Sequence, residues 1–280
     1  FGARQEDVKG SFDAAVGTIE QIRQHGFTPS ELARAKAFRQ KVIDRQYNER
    51  NDRRNRYFVK AALQNFLASE PITTAEYDYK LMQQFDKEVT LADVNKEVAE
   101  LVSNKNQVLT IYAPDKPNFP IADAQTFEKY VFDAQAKRYE PYKEESAGKE
   151  LIDKLPKKGK IKSEQNWGKF GAKKLVLSNG VEVYVKPTDY AKDQISMRFF
   201  GEGGTSLYPD TDALNFHMLT SAITDAGVGK FDNVQLSRML SGKSVRISPS
   251  IGYETQAING NSSVKDLQTL LELTYLYFTT

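Results

Sequence analysis

The chain has 280 residues, enough for two domains that each bury a core. Lys and Arg number 39 against 37 Asp and Glu, a formal charge of +2, which speaks against nucleic-acid binding because that needs a concentrated basic surface. The lack of cysteine excludes disulfides, thiolate catalysis and cysteine-ligated metals, and no run approaches the ~20 apolar residues of a membrane-spanning helix.

The first third reads as successive helices. Residues 6–24 carry Val8, Phe12, Val16, Ile19 and Ile22 at helical spacing, and Gly26 supplies the stop. Thr28-Pro29-Ser30-Glu31 restarts the pattern, with Thr28 as N-cap, Pro29 in the first turn and Glu31 closing a capping box. Leu32, Phe38, Val42 and Ile43 continue on one face. Phe58, Ala62 and Phe66 form one column of a further helix beside Val59, Leu63 and Leu67, and Pro71 ends it. Thr73 or Thr74 opens a helix through Tyr77, Leu81 and Phe85, and Thr90-Leu91-Ala92-Asp93 caps one carrying Val94, Val98, Leu101 and Val102. Residues 107–112 read as a strand closed by Pro114.

A short helix is expected over 123–136, and Lys, Glu, Gly and Pro over 143–171 give that stretch the composition of a linker. Beyond it the rhythm becomes two. Leu175 and Leu177, then Val181, Val183 and Val185, alternate around Asn179-Gly180, a hairpin signal in which both turn residues take positive φ. Strands follow at 195–200, 244–248 and 254–260, and helices at 210–226 (stopped by Gly227), 233–240 (ending at Gly242) and 264–278. The second half is therefore α+β, with antiparallel strands and helices on one face. The chain starts at Phe1 without Met and ends inside a helical rhythm, so an excised or processed segment is expected.

Chemical signals are few. His25 precedes a glycine at a helix C-terminus, where an imidazolium meets the helix dipole favourably. His217 has Ala213, Leu214, Thr220 and Ser221 at three and four residues, none of them a usual zinc ligand, so a packed or rim histidine is expected. Ser241-Gly242-Lys243-Ser244 imitates a phosphate loop, but Ser237 replaces the required glycine and a helix leads into a strand rather than the reverse. Gly201-Glu202-Gly203-Gly204-Thr205-Ser206 fails as a nucleophile elbow because Tyr208 stands at the second glycine, so a turn after a strand is expected. The arginines of 44–56 are interleaved with Asp44, Glu49 and Asp52, as on a mixed, solvated helix face. No constellation here supports catalysis, and no residue is assigned a catalytic, cofactor-binding or metal-binding role.

The order of segments resembles the pitrilysin/insulinase family of zinc metallopeptidases. The resemblance is carried by Gly26-Phe27-Thr28-Pro29-Ser30-Glu31-Leu32 followed by Arg34-Ala35-Lys36, by Tyr47-Asn48-Glu49-Arg50, by Phe66-Leu67-Ala68-Ser69-Glu70-Pro71 and by Val89-Thr90-Leu91-Ala92-Asp93-Val94-Asn95. It continues through Leu155-Pro156-Lys157-Lys158-Gly159-Lys160-Ile161, Leu177-Ser178-Asn179-Gly180-Val181-Glu182-Val183, Gly203-Gly204-Thr205-Ser206, Ala226-Gly227-Val228-Gly229 and Leu240-Ser241-Gly242-Lys243. Where the family's opening half carries His-x-x-Glu-His, this sequence offers Phe216 or His217 with Leu219, Thr220 and Ser221, which matches the family's metal-free second half.

The resemblance implies two LuxS/MPP-like metallohydrolase-type domains, both incomplete, joined by a charged linker. Residues 1–116 would be the helix-rich part of the second domain, 117–171 the connector between halves, and 172–280 the beginning of the third, non-catalytic domain. The chain would be wall and hinge of a clam-shell peptidase whose zinc and catalytic glutamate lie before Phe1, so no zinc is expected in the chain itself. The alternative is a catalytically dead relative acting as a structural or partner subunit. Expected partners are a peptide substrate, the remaining domains of the same protein and a second copy paired through an uncovered sheet edge; nucleic acid and membrane are not expected. The compartment stays open, with a periplasmic or otherwise exported place favoured over the cytoplasm.

Overall fold

A computed structural model of the chain describes residues 1–3, 6–113, 121–144, 150–168 and 170–280; the side chains of Ala213, Leu214 and His217 lie outside the description. Contacts divide it into two compact units, Phe1–Lys36 with Lys80–Glu145, and Ala37–Tyr79 with Ser146–Thr280. The helices of 37–79 thus group with the C-terminal half, although they follow the N-terminal helices in sequence.

In the first unit, α1 (Val8–His25) begins under Asp7, whose carboxylate accepts the Gly10 amide at 2.8 Å, and ends at Gly26 with φ +70°. Helix α2 (Pro29–Asn48) starts in this unit with the expected capping box: the Glu31 carboxylate accepts the Thr28 amide at 2.8 Å while Thr28 Oγ1 accepts the Glu31 amide. Helix α4 (Ala75–Glu88) begins in the other unit and closes in this one, where Lys36 Nζ donates to the Asp86 and Val89 carbonyls. Those carbonyls have no helical partner, and the ammonium also complements the negative end of the dipole. Helix α5 (Leu91–Leu101) carries a full capping box from Thr90 and Asp93, and α6 (Ala124–Gln135) starts at Asp123. The core is aromatic: Phe12 of α1 meets Phe127 and Tyr130 of α6 at ring separations of 5.7 and 5.9 Å. Residues 107–113 are irregular, not the strand their pattern predicts, and Val108 and Tyr112 stand 90% and 93% exposed. A strand needs a neighbouring ladder for its backbone groups, and none of the described strands pairs with this stretch.

In the second unit two three-stranded antiparallel sheets form, ordered β1-β2-β3 and β4-β6-β5. Strands β2 (Ala172–Leu177) and β3 (Glu182–Val185) pair around the expected hairpin, with Leu175 opposite Val183. The turn differs in type. Only Gly180 takes positive φ (+88°), the Gly180 amide donates to the Leu177 carbonyl and the Leu177 amide to the Val181 carbonyl, both at 2.9 Å. That pattern is a turn followed by a glycine bulge, which needs one left-handed residue rather than two.

Strand β1 (Ile161–Trp167) lies where linker was expected. All seven of its residues are exposed, so no hydrophobic alternation announces it; pairing with β2 alone defines it. The same stretch supplies Leu151, buried in a core with Val228, Phe231, Leu236 and Leu273. On one face of strands β4 (Ile195–Glu202), β5 (Val245–Ile251) and β6 (Thr255–Ser262), α7 (Ala213–Ala226) packs on β5 and α9 (Leu267–Thr279) on β5 and β6, with Phe278 of α9 meeting Phe199 of β4. Gly260 admits the α9 helix: a Cβ there would lie 2.7 Å from Leu270. Helix α8 (Asn233–Met239) begins under an Asp232–Gln235 capping box, and α3 (Asn55–Ala68) buries none of its residues.

Candidate functional site

His25 serves as a clamp. Its Nε2 lies 2.6 Å from the Tyr139 carbonyl, an atom that only accepts, so Nε2 carries the proton and donates. Gln24 donates to the Lys137 carbonyl at 2.9 Å and accepts the Tyr139 amide at 3.0 Å, while Gln21 donates to the Glu140 carbonyl at 2.6 Å. One face at the end of α1 thereby replaces a sheet ladder for residues 137–140. The Tyr139 ring packs over Gly17, where a Cβ would come within 2.8 Å.

The open groove beside this clamp, about 580 Å³, is lined by Arg23, His25, Lys137 and Arg138 among others. Much of its charge is already matched. Glu20, fully buried, holds Arg23 at 2.6 Å and raises its pKa, and Asp13 holds Lys137 at 3.0 Å. Hydrogen bonds from Lys9 and then Lys137 keep the Asp13 carboxyl below the ordinary carboxylate range.

The loop that imitates a phosphate site is occupied by the protein itself. The Ser244 amide donates to Asp266 Oδ2 at 2.7 Å, Lys243 Nζ donates to Thr269 Oγ1 at 2.7 Å, and Gly242 takes φ +81° with its Cα against Ala37. A phosphate would have to displace a carboxylate. Gly204, at φ +90°, starts a single 3-10 turn after β4, and a Cβ there would sit 2.5 Å from the Gly252 carbonyl oxygen. That loop is a turn, as its sequence predicts.

The arginine-rich block is likewise engaged. Arg50 bonds Glu76 at 2.8 Å and stacks over Tyr47, itself stacked on Tyr79 at 4.4 Å; Arg53 covers Tyr57, and Asp52 faces Lys192 at 3.4 Å. His217 lies on α7, with its side chain outside the described residues. Among the described residues no group of three or more His, Asp or Glu is arranged to hold a metal ion.

One surface escapes a reading of the elements one at a time. Register puts Ser196, Asn261 and Arg246 side by side across β4, β6 and β5, and next to them Arg198, Asn259 and Ser248. All six are exposed on the sheet face opposite α9. Ser196 donates to Asn261 Oδ1 at 2.9 Å, and Asn259 Nδ2 donates to Ser250 at 3.2 Å. Period-two alternation of polar with apolar residues within each strand is its sequence signal; only the cross-strand register assembles it.

No protein-family model matches the chain. Among curated proteins it is similar to a zinc protease PQQL-like protein of Arabidopsis thaliana, 25% identical over 267 residues, covering 95% of this chain and 25% of that one. A probable zinc protease PqqL of Haemophilus influenzae is 25% identical over 94% of this chain and 28% of its own length. The chain thus spans about a quarter of the curated relatives it matches. Two solved structures align with nearly all of it: the periplasmic protease PqqL from Escherichia coli, at 16% identity and TM-score 0.47 over 31% of that chain, and a mutant of the ferredoxin protease FusC in complex with Arabidopsis ferredoxin, at 14% identity and TM-score 0.45 over 30%.

Proposed function

We propose that this chain, homologous over most of its length to zinc proteases of the PqqL type, is a non-catalytic wall and hinge segment of a pitrilysin/insulinase-type metalloendopeptidase. The carrying observation is that zinc proteases align with 95% of this chain while it covers only 25% of their length. Residues 1–116 form the helix-rich part of the second domain, 117–171 the connector and 172–280 the start of the third. Zinc and the glutamate that activates its water belong to a domain before residue 1, and the segment encloses a peptide substrate. An exported compartment fits this reading; none of the described helices is long and apolar enough to cross a membrane. Among the described residues β4 and β5 are the edge strands of their sheet, so the isolated chain self-associates through that half, which sedimentation at rising concentration reads directly.

The test compares the chain alone with one extended through its preceding coding sequence, by calorimetric zinc titration and a quenched-peptide assay. Zinc-dependent cleavage is expected only from the extended protein. Stoichiometric zinc binding by the chain alone, abolished by His217→Ala and accompanied by metal-dependent turnover, overturns the reading. An extended protein with no inverted zinc motif and no turnover points instead to a partner subunit.

A further inference from the structure

We infer that the uncovered face of the β4-β6-β5 sheet is a docking surface for an extended acidic peptide segment, read by Arg198 and Arg246; the inference rests on the proposed role of this chain in enclosing a peptide. Both side chains are exposed, and among the described residues neither has a carboxylate partner; Arg198 has only the Phe200 ring, 6.0 Å from its guanidinium carbon. Several other cations of the same unit are matched by carboxylates: Arg50 by Glu76, Lys173 by Glu164, Lys192 by Asp52, Lys230 by Asp153. Arg198 and Arg246 thus leave two guanidinium groups open on one flat sheet face. A planar guanidinium in that setting suits a bidentate carboxylate.

The spacing defines the ligand. Arg246 lies across two strand spacings from Ser196, and Arg198 is two residues along β4 from it. With strands ~4.8 Å apart and ~3.4 Å rise per residue, the two arginine Cα atoms are about 12 Å apart on the diagonal. An extended peptide covers that distance in about four residues, so it presents two acids about four positions apart. Between the arginines lie the amides of Asn259 and Asn261 on the central strand, positioned to bond the peptide's backbone between its two acids. Glu202 shares this face at the far end of β4, so the acids gather at the Arg198–Arg246 end. An oligonucleotide is the weaker fit, because Phe200 is the one aromatic on this face of the described strands and single-stranded binding relies on stacking several bases.

The experiment measures fluorescence anisotropy of the whole chain with a fluorescein-labelled extended peptide bearing two aspartates about four positions apart, its twin with asparagines, and oligo-uridine. The acidic peptide should bind more tightly than its twin, and its affinity should fall as salt is raised. Arg198→Gln and Arg246→Gln should each weaken it about three- to fivefold, and together about tenfold or more, with thermal unfolding unchanged because both residues are exposed. If the two peptides bind equally and neither substitution matters, the acid-reading face is wrong while the enclosing role survives. If neither peptide binds, both fall. If oligo-uridine displaces the acidic peptide and loses affinity in the same variants, the face is a nucleic-acid surface and the inference is overturned.

Discussion

Helices α3 and α9 look alike in sequence: 14 and 13 residues, both rich in large apolar side chains, both in the second unit. Their fates differ. Leu270 and Leu273 of α9 are 0% and 1% exposed against β5 and β6, whereas on α3 Phe66 and Leu67 stand 84% and 68% exposed and nothing is buried. Apolar content proposes burial; a facing sheet grants it. A surface as apolar as α3 is a docking or aggregation face in isolation.

Five measurements test that contrast. Leu273→Ala should cost the most, about 2–5 kcal/mol in urea unfolding, because it empties the middle of a close-packed cluster. A cost below about 1 kcal/mol would place the core elsewhere. Gly227→Ala attacks the same core through its backbone: φ is +92° and a Cβ would lie 2.2 Å from the Phe231 carbonyl, so the loop holding Val228 and Phe231 against Leu273 must shift. Roughly 2–3 kcal/mol is expected, and a stability unchanged within error would show that the loop yields freely.

Helix α5 offers a third case, a helix held by its cap, since it too buries nothing. Donors from Thr90, first its hydroxyl and then its amide, keep the Asp93 carboxyl below its ordinary value of 3.8. A carboxyl depressed in the fold contributes stability above its unfolded pKa and loses it as pH falls through the folded one. Amide exchange in the first turn of α5 should therefore quicken only below about pH 4, and Asp93→Asn should remove that acid step. An unchanged step in the variant would assign it to another carboxyl. Least of all should Leu63→Ala on α3 matter, within about 0.5 kcal/mol. Phe66→Ser with Leu67→Ser should lower light scattering of the concentrated chain; a large loss of stability instead would mean α3 is buried in solution.

Local chemistry was legible in the sequence where the partners lie within a few residues. Thr28 with Glu31 and Thr90 with Asp93 make the caps their residue types announce. The hairpin at Asn179-Gly180 was legible in position, though its turn type, and with it the register, was not, because one left-handed glycine followed by a bulge satisfies the ladder where two left-handed residues were expected.

The surface bearing Arg198 and Arg246 was not legible as a site, since its members lie on strands separated by up to 65 positions and meet only through register. Residue identity alone carries the capping boxes at Thr28 and Thr90, the place where the hairpin turns, and the wrong direction of Ser241–Ser244 for a phosphate loop. Tertiary structure alone decided that α9 is core and α3 is surface, that a polar stretch at 161–167 becomes a strand, and that the strand-like 107–112 does not. Caps and turns are satisfied by bonds to near neighbours, so residue identity suffices for them. Burial and strand pairing require a complementary surface supplied from far along the chain, and identical side chains are inside or outside according to whether that surface arrives.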